Sequence, residues 1–197
     1  MRNIKKYTKS LEEAVKLELS RPYSFGCVTY KSNGSHDDMD YKTFEKSTLS
    51  ITDSLNNLNW DKISNFYDLK DAGRKVENKM FEATNGINTQ KGLIFLHMFL
   101  ALSFVKGIKW DNISKYIKNL SVPLVSDYKK NAKAIKWDKN NLKDIRFYPL
   151  DGFDEILKLC EYSINNKLSD TNLSLHIIAM ADDTTTAHRS SIDALRI

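Results

Sequence analysis

The sequence predicts an all-α fold, an irregular or orthogonal helix bundle in a single domain over residues 1–197. Three observations predict it. Only 7 glycines and 3 prolines interrupt 197 residues. Apolar residues recur at i, i+3/i+4 over most of the chain, the spacing of helices that each bury one face. Strand-like alternation is scarce: residues 25–30 read as a short extended piece with no obvious partner.

Taken in order, Ile4, Tyr7, Leu11, Ala14 and Val15 form one stripe and predict a helix over residues 3–20. Pro22, Gly26 and Gly34 break the pattern, so residues 21–38 read as an ordered loop. Tyr41, Phe44, Thr48, Ile51, Leu55 and Leu58 predict a helix over 39–58, and Leu69, Ala72, Val76, Met80 and Ala83 another over 68–84. A second loop, Asn85–Gln90, leads into residues 91–106, which are apolar on nearly every side. A helix of that kind, too short for the roughly 20 apolar residues a bilayer requires, belongs at the centre of a bundle. Residues 111–146 are rich in Lys and Asn and amphipathic only in short pieces. Residues 152–166 and 171–195 read as two closing helices, with Pro149 and Gly152 marking the one break.

Hydrophobic residues make up 41% of the chain and charged residues 28%, a globular balance. The net charge of +5 comes from lysines spread along the whole length, which reads as a solvated surface and not as a nucleic-acid stripe. The charged N-terminus has no apolar signal core, and the expected location is cytoplasmic, with no membrane partner. Cys27 and Cys160 read as reduced packing residues. His97, within the apolar helix, reads as a satisfied core histidine.

Two polar, glycine-bearing segments carry the candidate chemistry. In Gly34–Asp40, three carboxylates and His36 lie just before a helix. Either Asp38 caps that helix, or the acids hold a divalent cation through hard oxygen ligands. In Thr84–Gly92, small polar residues and Lys91 stand at a helix N-terminus. That is either a plain connection or a phosphate cradle, although the glycine spacing is not that of a P-loop. Glu18 and Glu77 fall on or beside inward-facing stripes, where a carboxylate needs a partner or a ligand. Asp182–Arg189 reads as an exposed final helix, or as a carboxylate and an arginine returned to the same pocket.

These segments, in this order, resemble the triphosphoribosyl-dephospho-CoA synthase family. The family stretch E-V-x-x-x-P-K-P-G-L-V-D-R-x-N-x-G-A-H-K-D-M-D is matched without a gap by Glu18, Gly26, Val28, Gly34, His36, Asp38, Met39 and Asp40. Its E-x-x-M-x-x-x-T-x-G-V-N-T-H-K-G-A-I-F is matched by Glu77, Met80, Thr84, Gly86, Asn88, Thr89, Lys91, Gly92, Ile94 and Phe95. A later D-[ST]-x-x-x-x-R element is similar to Asp183, Thr184 and Arg189. Thr29, Tyr30 and Gln90 stand where the family has an acid, an arginine and a histidine, so the resemblance is to a diverged, shortened member.

The resemblance implies a transferase that joins ATP to 3′-dephospho-CoA and releases adenine. Its product is the prosthetic-group precursor of citrate lyase or malonate decarboxylase. It further implies Mg²⁺ on the triphosphate held by Asp38, Asp40, Glu77 and Asp183. Phosphates would be cradled by Gly34, Asn88, Thr89, Lys91, Gly92 and Arg189, and Glu18, His36, Asp38 and Asp40 would serve the chemistry. A homologue that binds a nucleotide or CoA-like ligand without this reaction, or a helical interaction module, is the alternative.

Overall fold

The computed structural model describes residues 2–21, 26–126 and 145–169. The chain divides into two compact units, residues 1–108 and 109–197, and each is described by itself. All regular elements among the described residues are helical, as the periodicity predicts.

The first unit is a ring of four helices. Helix α1 spans Ile4–Ser20, and Asn3 caps it by accepting from the Lys5 backbone N–H at 3.0 Å. It buries Thr8, Leu11, Val15 and Leu19. Helix α2, Tyr41–Asn57, buries Ser47, Thr48, Ile51, Thr52 and Leu55. Three of those five carry hydroxyls, so this inner face must find hydrogen-bond partners. Trp60 closes the end of α2 by donating its indole N–H to the Leu55 carbonyl at 2.9 Å. Helix α3, Phe66–Ala83, is capped by Asn65 and buries Phe66, Leu69, Ala72, Val76 and Met80.

Helix α4, Lys91–Val105, is the most apolar of the four. Ile94, Met98, Phe99, Ala101, Leu102 and Val105 are buried. Neighbouring pairs α1–α2, α2–α3, α3–α4 and α4–α1 pack together, which closes the ring. The Arg2 N–H to Val105 carbonyl bond, 3.0 Å, ties the start of α1 to the end of α4.

In the second unit, a short 3₁₀ turn at Trp110–Asn112 precedes helix α5, Ile113–Ser121. Helix α6, Phe147–Asp151, packs on α5, and helix α7 spans Asp154–Asn166. The break expected at Pro149–Gly152 separates α6 from α7. Gly152 and Phe153 both adopt left-handed backbone, φ +70° and +59°. A Cβ at Gly152 would lie 2.5 Å from the Ser114 hydroxyl, so only glycine fits this approach of α6 to α5. Asp154 then accepts from Lys118 Nζ at 2.7 Å and from the Ser114 hydroxyl.

Some expectations are corrected. Residues 28–32 form a tight turn with a single Thr29–Ser32 bridge, not a strand, because both bridge partners lie within one turn. Cys27 is exposed, not packed. The helix expected over 171–195 lies outside the described residues.

His97 finds its partner in the Tyr7 hydroxyl, 2.5 Å from Nδ1, with the two rings edge to face. Burial pushes the imidazole pKa down to about 4 from 6.5 and the Tyr7 phenol up. A lowered folded-state pKa means that the unfolded chain binds the extra proton between those values. This stabilisation is therefore complete above pH 6.5 and is lost as pH falls toward 4, on the order of 3 kcal/mol in all. We predict that urea denaturation from pH 7 to pH 4.5 shows a stability loss about 2 kcal/mol smaller in His97→Gln than in the parent. Parallel curves for the two proteins would refute the assignment.

Candidate functional site

The first polar segment, residues 26–40, is an ordered loop built from its own turn chemistry. The buried Thr29 hydroxyl accepts from the backbone N–H groups of Lys31 and Ser32 at 3.2 and 3.1 Å. The Tyr30 N–H reaches the Leu19 carbonyl at 2.9 Å and ties the loop to α1. Val28 and Met39 peg its two ends into the core, at 2% and 6% exposure. Gly34 has φ +62°, and a Cβ there would sit 2.2 Å from the Gly26 carbonyl oxygen. Ser35 donates to that same carbonyl from its N–H and its hydroxyl, at 2.9 and 3.1 Å. Gly34 thus lets the strand of loop leaving Gly26 and the one returning to α2 touch.

His36 is partly buried, with Nδ1 3.7 Å from the Asp38 carboxylate, while Asp37 and Asp38 are exposed. The cap of α2 is Asp40 and not Asp38. Asp40 Oδ1 accepts from the Thr43 backbone N–H and from its hydroxyl, each at 2.8 Å. Those bonds, the backbone one foremost, hold its carboxyl below the usual range. Tyr30 donates to Glu45 at 3.0 Å and lies edge-on to Tyr41, so it anchors the loop to the first turns of α2.

The second segment begins by stopping α3. Asn85 and Gly86 take left-handed backbone, φ +54° and +85°, and the Gly86 N–H returns to the Phe81 carbonyl at 2.8 Å. The buried Thr84 hydroxyl bonds the Met80 and Ile87 carbonyls. Asn88 and Lys91 are exposed, Thr89 and Gly92 partly so, and Gln90 is buried at 5%. Gln90 Oε1 accepts from the Ser47 hydroxyl at 2.7 Å and from Thr48 at 3.2 Å, and Thr89 donates to Ser47 at 2.7 Å. Lys91 Nζ pairs with Glu77 at 2.5 Å, across the turn from α3 to α4.

The structure therefore brings Glu77 to Lys91, His36 to Asp38, and both polar segments to α2. Among the described residues no three His, Cys, Asp or Glu side chains gather into a metal-holding group, and Asp38, Asp40 and Glu77 do not form one. Asp183 and Arg189 lie outside the described residues. Glu18 is exposed, a correction to the inward placement expected from the stripe. The inward carboxylate of α1 is Glu12, which accepts from Thr52 at 2.7 Å. The buried row is Thr8, Leu11, Val15 and Leu19, and Glu18 sits one position off it. Glu12 also lines a groove of about 260 Å³ between α1 and α2, with Lys16, Glu45 and Leu49.

Sequence reasoning missed Ser47 and the buried bonds of Gln90. The available signal was a serine and a threonine side by side on the inner face of α2, groups that must be satisfied wherever they are buried. Among the described residues no helix is long and apolar enough to cross a membrane.

The geometry predicts two separable losses. Gly34→Ala should destabilise by about 2 kcal/mol or more, since the new Cβ meets backbone and the φ is unfavourable. Asp40→Ala should cost about 1 kcal/mol, the usual value of a cap. Thermal or chemical denaturation measures both; a Gly34→Ala protein as stable as its parent would contradict the close approach described.

The sequence profile of the CitG family, described as ATP:dephospho-CoA triphosphoribosyl transferase, matches residues 4–143. A probable 2-(5″-triphosphoribosyl)-3′-dephosphocoenzyme-A synthase from Photobacterium profundum is 39% identical over 109 residues, covering 51% of this chain and 34% of its own. The protein CitXG of Leuconostoc mesenteroides subsp. cremoris is 30% identical over 84% of this chain and 42% of its own length. A further probable synthase, from Salmonella choleraesuis, is 28% identical over 86% of this chain and 66% of its own. The chain thus spans from a third to just under two thirds of these relatives. No solved structure matches it.

Proposed function

Because the chain belongs to the ATP:dephospho-CoA triphosphoribosyl transferase family, we propose that it joins ATP to 3′-dephospho-CoA and releases adenine. The product is 2′-(5″-triphosphoribosyl)-3′-dephospho-CoA, which serves the prosthetic group of citrate lyase or of malonate decarboxylase. The observation that carries this reading is that both matched blocks are fastened to one helix. Asp40 caps α2, and Ser47 and Thr48, two turns further on, hold Gln90.

In this reading the bond from adenine N9 to C1′ of the ATP ribose breaks. C1′ bonds to the 2′-oxygen of dephospho-CoA, and adenine leaves with a proton. The proton of the 2′-hydroxyl passes to a base. His36, partly buried and beside the Asp38 carboxylate, suits that role. Glu18, exposed at the end of α1, stands in the same matched block and is the second candidate. Positive charge developing at C1′ is met by a neighbouring carboxylate.

Lys91 and the amides of the Asn88–Gly92 turn would hold the triphosphate, with Gly34 at its edge. Magnesium is taken as part of the nucleotide substrate, where it neutralises phosphate charge. The described carboxylates do not build a cage for a resident ion: Asp40 is committed to its cap and Glu77 to Lys91. The exposed Asp38, with His36 Nδ1 at 3.7 Å, is the carboxylate proposed to approach the ion. The expected location is the cytoplasm.

The test is incubation with MgATP and 3′-dephospho-CoA, with adenine and the coupled product measured by mass spectrometry. Adenine should form only when both substrates are present. His36→Ala should lower turnover on the order of 100-fold, and Lys91→Ala should raise the KM for ATP about tenfold or more. A folded protein that releases no adenine but is stabilised thermally by MgATP would be a nucleotide binder without the transfer. One that shows neither effect would be a helical interaction module.

A further inference from the structure

Two adjacent residues on α2, Ser47 and Thr48, meet two adjacent residues of the turn before α4, Thr89 and Gln90. Ser47 is completely buried, Thr48 is 7% exposed and Gln90 5%. The proton bookkeeping fixes the direction of the bonds. Gln90 Oε1 can only accept, so Ser47 spends its single proton on it. The Ser47 oxygen is then the acceptor for the Thr89 hydroxyl, which spends its own proton inward. Thr48 divides its proton between the Phe44 carbonyl at 2.8 Å and Gln90 at 3.2 Å.

The consequence for the turn is specific. With this contact intact, the Thr89 hydroxyl has no proton left for a phosphate, and the residue can donate outward only from its backbone. The network also adds little net stability. Replacing buried hydrogen-bond partners by apolar groups of matching shape is often nearly neutral. What an apolar contact would not supply is a fixed register between α2 and the turn, because apolar packing is non-directional. Lys91 follows Gln90 directly, and its tip is held at 2.5 Å by Glu77 of α3. One end of the lysine is thus set by α2 and the other by α3.

We propose that Gln90 is a positioning residue: clasped by Ser47 and Thr48, it fixes the Asn88–Lys91 turn so that Lys91 is held at Glu77, ready for a triphosphate. The positioning rests on the geometry above; its purpose rests on the function proposed here. Ser47 acts with it although it is wholly buried and touches no ligand.

Two readouts separate the clasp from the function. The first is the reactivity of Lys91 toward an acylating reagent in the free full-length chain, quantified by mass spectrometry against Lys62 as internal control. Gln90→Leu, Ser47→Ala and Thr89→Val should each raise Lys91 labelling severalfold with Lys62 unchanged, and Thr89→Ser should restore the parental rate. The second is MgATP affinity, measured by calorimetry. Ser47→Ala and Thr89→Val should each weaken binding about fivefold to tenfold, the scale of one lost hydrogen bond. The double variant should bind no more weakly than Ser47→Ala alone, since that substitution already removes the acceptor of the Thr89 hydroxyl.

Unchanged Lys91 labelling in folded Ser47→Ala, which removes the shorter of the two bonds to Gln90, overturns the clasp even if Gln90→Leu fails to fold. Additive losses of affinity overturn it too, because Thr89 would then act on the nucleotide directly. If the parent binds no MgATP, the functional reading fails, and Lys91 labelling still decides the positioning role.

Discussion

The inner face of α2 is the constraint on which the rest of the first unit depends. It carries Ser47, Thr48 and Thr52 where a bundle helix would ordinarily carry aliphatic residues. Burying three hydroxyls is tolerable only if each is bonded, and each of the three has a partner outside α2. Thr52 selects Glu12 on α1, and Ser47 and Thr48 select Gln90 before α4. At the N-terminal end of the same helix, Asp40 fixes the exit of the first polar loop. A helix with an aliphatic inner face would bury as much area, yet would not hold the turn before α4 in register against it.

Around that helix the apolar residues supply the driving force without much specificity. Ile51 and Leu55 of α2, Val76 and Met80 of α3, and Phe99 and Leu102 of α4 are nearly or fully inaccessible. Burial of this kind contributes about 25 cal/mol per Å² whichever neighbour covers it. The polar contacts then decide which of the possible packings is populated. The same division holds in the second unit, where Gly152 permits the approach to Ser114 and the Lys118–Asp154 pair orients it.

The helices were legible in the sequence because a stripe at i, i+3/i+4 is a direct consequence of burying one face. Residues 3–20, 39–58 and 91–106 became Ile4–Ser20, Tyr41–Asn57 and Lys91–Val105. Capping was less legible. Asp37, Asp38 and Asp40 are all competent caps, and only the position of the first helical turn selects Asp40. Glu18 was misjudged for a related reason. A helical wheel tolerates tens of degrees, and the true buried row through Leu11, Val15 and Leu19 leaves Glu18 just outside while Glu12 reaches Thr52. His97 was read correctly, but its partner Tyr7 lies 90 residues away, and local spacing carries no such information. Gln90 was visible only as a departure from the family histidine, for the same reason: its role exists only once α2 lies beside the turn.

The central claim is that the two polar loops, held in register by α2, enclose one nucleotide. Hydrogen exchange of the backbone amides, with and without MgATP, addresses it directly. The account predicts slowed exchange in both residues 33–39 and residues 86–92 on adding the nucleotide, while the amides of α7 are unchanged. Protection of one loop alone, or of neither, would contradict it.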